Sequence, residues 1–223
     1  IDTIAVRPKP YAPCNYYIES DWSAASYWYE ILALSTHCDN TFFLPGLLDG
    51  SKQGDSVLRY LFSLLSVKTE VEEADDTHSA GIRITRHERN LPRLEYDFVN
   101  CPDLAQTFVV CCAVLDIPFL FTGLPTLLIK ETNRLEALKI EMRKLGYVIK
   151  EQNKSELVWD GERCEPSFEP IDTYEDHRMA MAFAPAAIKF PGLRINHPEV
   201  VSKSYPRFWN DLRSVGFEIE ESK

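Results

Sequence analysis

Three things are scarce in this sequence, and each scarcity removes a class of protein. Long apolar runs are missing. The longest, Phe108 to Phe121, is interrupted by Asp116 and Pro118, and a membrane-crossing helix needs ~18 unbroken apolar residues. Basic charge is in deficit, with 24 Lys and Arg against 34 Asp and Glu and a net charge of -10. That argues against a broad surface for nucleic acid or anionic membrane, since both recruit excess cations. A small anionic ligand is still allowed, because a local cluster of basic side chains can hold one. Paired cysteines are missing too. The six cysteines, at 14, 38, 101, 111, 112 and 164, form no C-x-x-C pair. The spacings of zinc sites are therefore absent, and the expectation is reduced, mostly buried thiols in a cytosolic-type compartment. No signal-peptide pattern opens the chain. A start at Ile1 in place of Met reads as a processed chain or a fragment.

What is present is an ordinary globular composition, 45% hydrophobic and 26% charged over 223 residues, enough for a core of normal size. The chain also repeats itself. Asp103 and Asp176 each open an apolar helical run, and Lys130 and Lys203 each open a second helix. The separation from Asp to Lys is 27 residues in both cases, and the period is 73. A looser copy starts at Asp21 and continues after Gln53-Gly54-Asp55. The first helix of each unit, 104–115 and 179–188, is apolar nearly all round, which predicts burial on every side. The second is amphipathic: Leu135, Leu138, Met142 and Leu145 recur at helical spacing, and Gly146 and Gly216 stop the second helices. Strands are expected at 94–99, 117–122, 147–151, 156–159, 192–195 and 217–220. Charge rises and periodicity fades over 66–76, which places a domain boundary there. A turn is expected from Glu88 to Arg93. The fold class that follows is α/β, with repeated units whose helices lie inside.

Charged residues cluster where these helices begin. Asp103 and Asp176 read first as N-caps, carboxylates that accept from free backbone N–H groups. Arg178 is different, because a cation in a first turn opposes the helix dipole unless an anion or an ion pair offsets it. Lys130, Glu131 and Arg134 fall within one turn. They read either as a solvated face with a Glu131–Arg134 pair or as an acid and cations beside an anionic ligand. Lys203, His177 and Tyr27, taken singly, read as a surface lysine, a structural histidine and a core aromatic.

Five segments carry a resemblance: DWSAASYW (21–28), CPDLAQT (101–107), IKETNRLEAL (129–138), YEDHRMAMAFAP (174–185) and VVSKSYPRFW (200–209). In order and spacing they look like the successive motifs of the EPSP synthases. The resemblance implies an enolpyruvyl transferase-like inside-out α/β barrel of β-α-β-α-β-β units, of which this chain holds a C-terminal part. Residues 1–68 would be the last unit of the shikimate-phosphate-binding domain. Residues 69–223 would belong to the C-terminal domain, with repeats 94–159 and 167–223.

The implied reaction transfers the enolpyruvyl group of phosphoenolpyruvate to the 5-hydroxyl of shikimate 3-phosphate, with no metal or organic cofactor. It needs a base, an acid and fixed cations for phosphate and carboxylate. By the match, Asp103 is the base, Glu131 an acid–base partner, and Lys203 a cation or proton donor near phosphoenolpyruvate. Arg134 and Arg178 resemble the clamp on its carboxylate. Ser23, Tyr27, Asp103 and Lys130 resemble the contacts to shikimate 3-phosphate, and His177 the group that orients Glu131. The whole enzyme is implied to be a cytoplasmic monomer. Departures from the family pattern are Ala24 for Ser, Thr126 for Asn, Leu128 for Arg and Asn133 for Asp. The family's Lys-Ser motif, glycine-rich loop and a further arginine are not among these residues. Two rival readings stand beside this one: the sister enzyme acting on UDP-N-acetylglucosamine, and a non-catalytic binding fragment.

Overall fold

The computed structural model describes residues 3–36, 40–74, 79–88 and 90–221. Three apolar helices form its centre. They are α1 (Trp22–Leu34), α3 (Ala105–Val114) and α5 (His177–Phe183). Every residue of α3 is buried, as a helix without a polar face must be. Helix α3 packs on both α1 and α5, so the first helices of the three sequence copies meet in one core. Ser26 of α1 and Thr107 of α3 satisfy each other's hydroxyl across that contact at 3.1 Å. The helix expected over 179–188 ends at Phe183 and tightens into a 3-10 turn, Ala184–Ile188. Pro185 explains the break, since it has no N–H for the α-helical ladder.

Two sheets flank these helices. Strands β1 (Thr41–Pro45), β2 (Val67–Glu72) and β3 (Gly81–Arg86) form an antiparallel sheet in the order β1-β3-β2. Residues 67–72, within the stretch 66–76 expected to hold a domain boundary, are strand. The charges of 67–72 alternate with Val67, Thr69 and Val71, and this segment pairs along its length with β3; residues 75 and 76 lie outside the described part. The second sheet holds β4 (Leu94–Asp97), β5 (Phe119–Thr122), β6 (Lys150–Gln152) and β7 (Glu156–Trp159) in the order β4-β5-β7-β6. Strands β4 and β5 are parallel, and α3 is the crossover between them. Phe108 of α3 fills the space between the layers, 4.6 Å from the ring of Phe62 and 5.5 Å from that of Phe98.

The third unit departs from expectation. Neither 192–195 nor 217–220 forms a strand; a single parallel bridge joins Ile171 to Ile195. In the second unit β5 is held from both sides, by β4 and β7. The single bridge at Ile195 does not extend into a ladder among the described residues.

The second helices are α2 (Leu58–Leu64), α4 (Arg134–Lys144) and α6 (Phe208–Ser214). Leu135, Leu138 and Met142 of α4 face the core, and Gly146 follows at φ +92°, a left-handed stop that other residues adopt at a cost. Lys130 and Glu131 do not open α4, as had been expected. Asn133 caps it, accepting from the Glu136 N–H at 3.2 Å. Asn in place of the family's Asp keeps that function, because both side chains cap well. The five described cysteines are free and mostly buried, as expected: Cys101, Cys111 and Cys112 are buried, Cys164 is half-buried and Cys14 is exposed. Cys38 lies outside the described residues.

Candidate active site

The charged residues that begin these helices meet in space. Arg134 is the centre of the group, with a side chain only 1% exposed. Its Nε donates to Asp176 Oδ2 at 2.6 Å, and its Nη2 to Asp176 Oδ1 at 3.2 Å. Nη1 donates to Asp103 Oδ1 at 2.9 Å, and Nη2 also reaches Glu131 Oε2 at 2.9 Å. Such forked bonds to carboxylates are short and orienting. The solvated Glu131–Arg134 face is thereby excluded: the pair exists, but Arg134 is buried.

Asp103 sits in the 3-10 turn Pro102–Leu104 that leads into α3, and its side chain caps nothing. The N-cap reading is corrected, and the reason is visible in its neighbours. Arg134, Arg178 Nη2 at 3.1 Å and Lys130 Nζ at 3.2 Å all draw the carboxylate away from the helix end. Burial alone would raise its pKa, but Arg178, Lys130 and Arg134 outweigh burial and lower it. Asp176 does cap α5, accepting from the Arg178 N–H at 2.9 Å. Glu131 is gripped by Lys203 and Arg134. The Lys203 hydrogen bond is the chief reason its pKa falls to about 2.

Arg178 links this group to α1. Its guanidinium lies near the buried hydroxyl of Tyr27, whose pKa burial pushes up in spite of that charge. Ser23, one turn earlier, donates to Asp55, which stands in the 3-10 turn before α2. Burial raises the Asp55 pKa against the effects of Ser23 and Arg178. Asp55 and Asp176 were not among the sequence candidates for the site. The signal for Asp55 was its place in the loosest repeat, at the start of a second helix. The signal for Asp176 was hidden by its role as a cap.

His177 makes no hydrogen bond to Glu131 among the described residues, where Lys203 and Arg134 hold the carboxylate oxygens. Its Nδ1 is buried without a partner and lies 3.9 Å from Asp176 Oδ1. Burial, then Arg178, lowers its pKa, so the ring is neutral near pH 7.

Four cations (Lys130, Arg134, Arg178, Lys203) thus interlock with three carboxylates (Asp103, Glu131, Asp176). Asp55, whose charge Arg178 also feels, stands beside the group, so four cations gather with their acids in a protein whose net charge is -10. Lys203, with its side chain 57% exposed, and Lys130, at 33%, open this group to solvent. An anion could enter by displacing a carboxylate from its cation. The fold and this cluster define a repeat-built α/β protein whose helix lead-ins meet in a partly open group of ion-paired acids and cations.

Comparison with known proteins gives the family. The sequence profile of EPSP synthase (3-phosphoshikimate 1-carboxyvinyltransferase) matches residues 2–212, and the chain belongs to that family. A 3-phosphoshikimate 1-carboxyvinyltransferase of Bacteroides fragilis is 55% identical over 219 residues, covering 98% of this chain and 52% of that relative. One from Methanobrevibacter smithii is 31% identical, covering 99% of this chain and 47% of the relative. Among solved structures, an EPSP synthase from Acinetobacter baumannii matches with a TM-score of 0.71 at 18% identity, over 92% of this chain and 48% of that one. The chain spans about half the length of the curated relatives it matches.

Proposed function

We propose that this chain supplies the phosphoenolpyruvate-gripping part of an EPSP synthase, which adds the enolpyruvyl group to the 5-hydroxyl of shikimate 3-phosphate and releases phosphate. One observation carries the reading: the family's charged motifs, far apart in sequence, converge on Arg134 and its ion-paired neighbours. The names of the relatives favour this reaction over the transfer to UDP-N-acetylglucosamine. The division into a first unit and a C-terminal domain, a cytoplasmic setting and a monomeric whole enzyme belong to the same proposal.

The chemistry follows from the charge pairing. In the empty site Asp103 and Glu131 are ionised and saturated by cations. The substrate anions compete for Arg178, Lys130 and Lys203. Each cation drawn away removes a stabilising partner, so both carboxyl groups gain basicity when the ligands arrive. Asp103 then accepts the hydroxyl proton, and Lys203, the protonated member of the Lys203–Glu131 pair, supplies one to the vinyl carbon with Glu131 as its acid–base partner. Arg134 contacts a substrate carboxylate only if that group takes the place of Glu131 or Asp103 on it. Ser23, Tyr27 and Lys130 form the shikimate-phosphate side. The 223 residues alone are expected not to turn over, because part of the family's cation set lies outside them.

The test is phosphate release from phosphoenolpyruvate and shikimate 3-phosphate by a chain completed to the length of its relatives. Release that requires both substrates is the expected result. A completed, folded chain that releases none would leave the non-catalytic binding reading in its place.

A further inference from the structure

Gln106 is out of character for its surroundings. It is 1% exposed in a helix, α3, whose other residues are apolar except for Thr107. A buried amide is costly unless its groups are paired. With its oxygen facing Arg134, the amide accepts from Nη1 and Nε at 3.0 Å each, and its nitrogen donates to the Asp103 carbonyl at 3.2 Å. The reverse orientation would set donor against donor.

A guanidinium has five N–H groups. On Arg134, Nε serves Asp176, Nη2 serves Asp176 and Glu131, and one Nη1 hydrogen serves Asp103. The second Nη1 hydrogen has Gln106 as its acceptor. We propose that Gln106 is a positioning residue for the reaction: the neutral fifth acceptor that locks the Arg134 fork and, through the Asp103 carbonyl, the turn carrying the base. Neutrality matters as much as position. A carboxylate there would put a fourth acid on Arg134, which already meets Asp103, Glu131 and Asp176, and oppose the entry of a substrate anion. The inference rests on the functional reading above.

The experiment compares wild type, Gln106→Met and Gln106→Glu in the completed chain. Met keeps the approximate volume and offers no acceptor of comparable strength. Glu is nearly isosteric, keeps an acceptor and adds charge. The kcat/KM for phosphoenolpyruvate should fall about ten- to a hundredfold in Gln106→Met, the scale of a slightly misplaced catalytic group, while the KM for shikimate 3-phosphate stays within about twofold. Gln106→Glu should weaken phosphoenolpyruvate at least as much with little loss of thermal stability, and it stands in if the Met variant does not fold. Unchanged kinetics in either folded variant, or equal losses for both substrates that track a lower Tm, would overturn the proposal and leave Gln106 as packing. A completed wild type without activity would sink the functional reading instead. The side-chain nitrogen NMR signal of Arg134 then decides. A protected Nε–H that shifts or is lost in Gln106→Met supports the lock, and an unmoved signal rejects it.

Discussion

At the scale of single residues, the same side-chain type behaves in opposite ways according to its partners. Glu131 is stabilised as an anion, and its pKa lies below the ordinary glutamate value of 4.5, at about 2. Its contribution to stability is fully present above pH 4.5 and is lost as pH falls toward 2. Glu131→Gln should therefore flatten the acid limb of a stability–pH profile in that window, read from Tm in a pH series. Glu30 is the reverse case. It is 0% exposed in α1, neither carboxyl oxygen has a partner, and burial pushes its pKa well above 4.5. The folded state prefers it protonated, so stability falls as pH rises above 4.5. Glu30→Gln should melt higher than wild type, by a margin that grows from pH 5 to pH 8; a constant margin would show that Glu30 finds a partner. Asp103→Asn in the completed chain should lower turnover by about 10²–10⁴, the usual worth of positioned proton transfer. Because Asp103 caps no helix, any loss of stability would come from its three cations. The charged candidates were legible in the sequence because each sits at a helix start. Gln106 was not, since a lone amide in an apolar run gives no sign of which neighbour it will meet.

At the scale of elements, helix character was legible and strand partnership was not. The all-round apolar pattern of 104–115 and the amphipathic one of 135–145 describe what each helix needs around it, and α3 and α4 satisfy those needs. A strand depends on neighbours that its own residues do not specify. That is why 67–72 pairs in spite of its charge while 217–220, with Phe217 and Ile219 alternating, does not. A polar group adds to the apolar packing of α3 on α5 in holding the third unit to the second. Glu141 of α4 is 0% exposed and accepts from the Tyr174 hydroxyl at 2.6 Å, the Asp172 N–H at 3.0 Å and Lys144 Nζ at 2.8 Å. Removing one member of such a buried group typically costs about 3–5 kcal/mol. Glu141→Leu should lower stability by about that much in denaturant unfolding, and a change below about 1 kcal/mol would mean that water replaces the carboxylate.

At the scale of the whole molecule, a chain with net charge -10 gathers four cations with their acids where three buried helices and two helix lead-ins converge. The 73-residue period gave that geometry away in advance, because equal spacing of Asp and Lys puts equivalent side chains at equivalent helix starts. It could not show the pairing inside the cluster, which depends on how the units turn toward one another. The claim that this cluster grips phosphoenolpyruvate is tested most directly at Arg178, which is bonded to Asp103 and lies near Tyr27. Arg178→Lys keeps the charge and loses the planar fork. The measurement is a paired titration of phosphoenolpyruvate and shikimate 3-phosphate against wild type and variant in the completed chain. Phosphoenolpyruvate binding should weaken by about 1.5–3 kcal/mol, the scale of a charged hydrogen bond, with little change for shikimate 3-phosphate. Equal losses for both ligands, or a lower Tm with unchanged phosphoenolpyruvate affinity, would contradict the account.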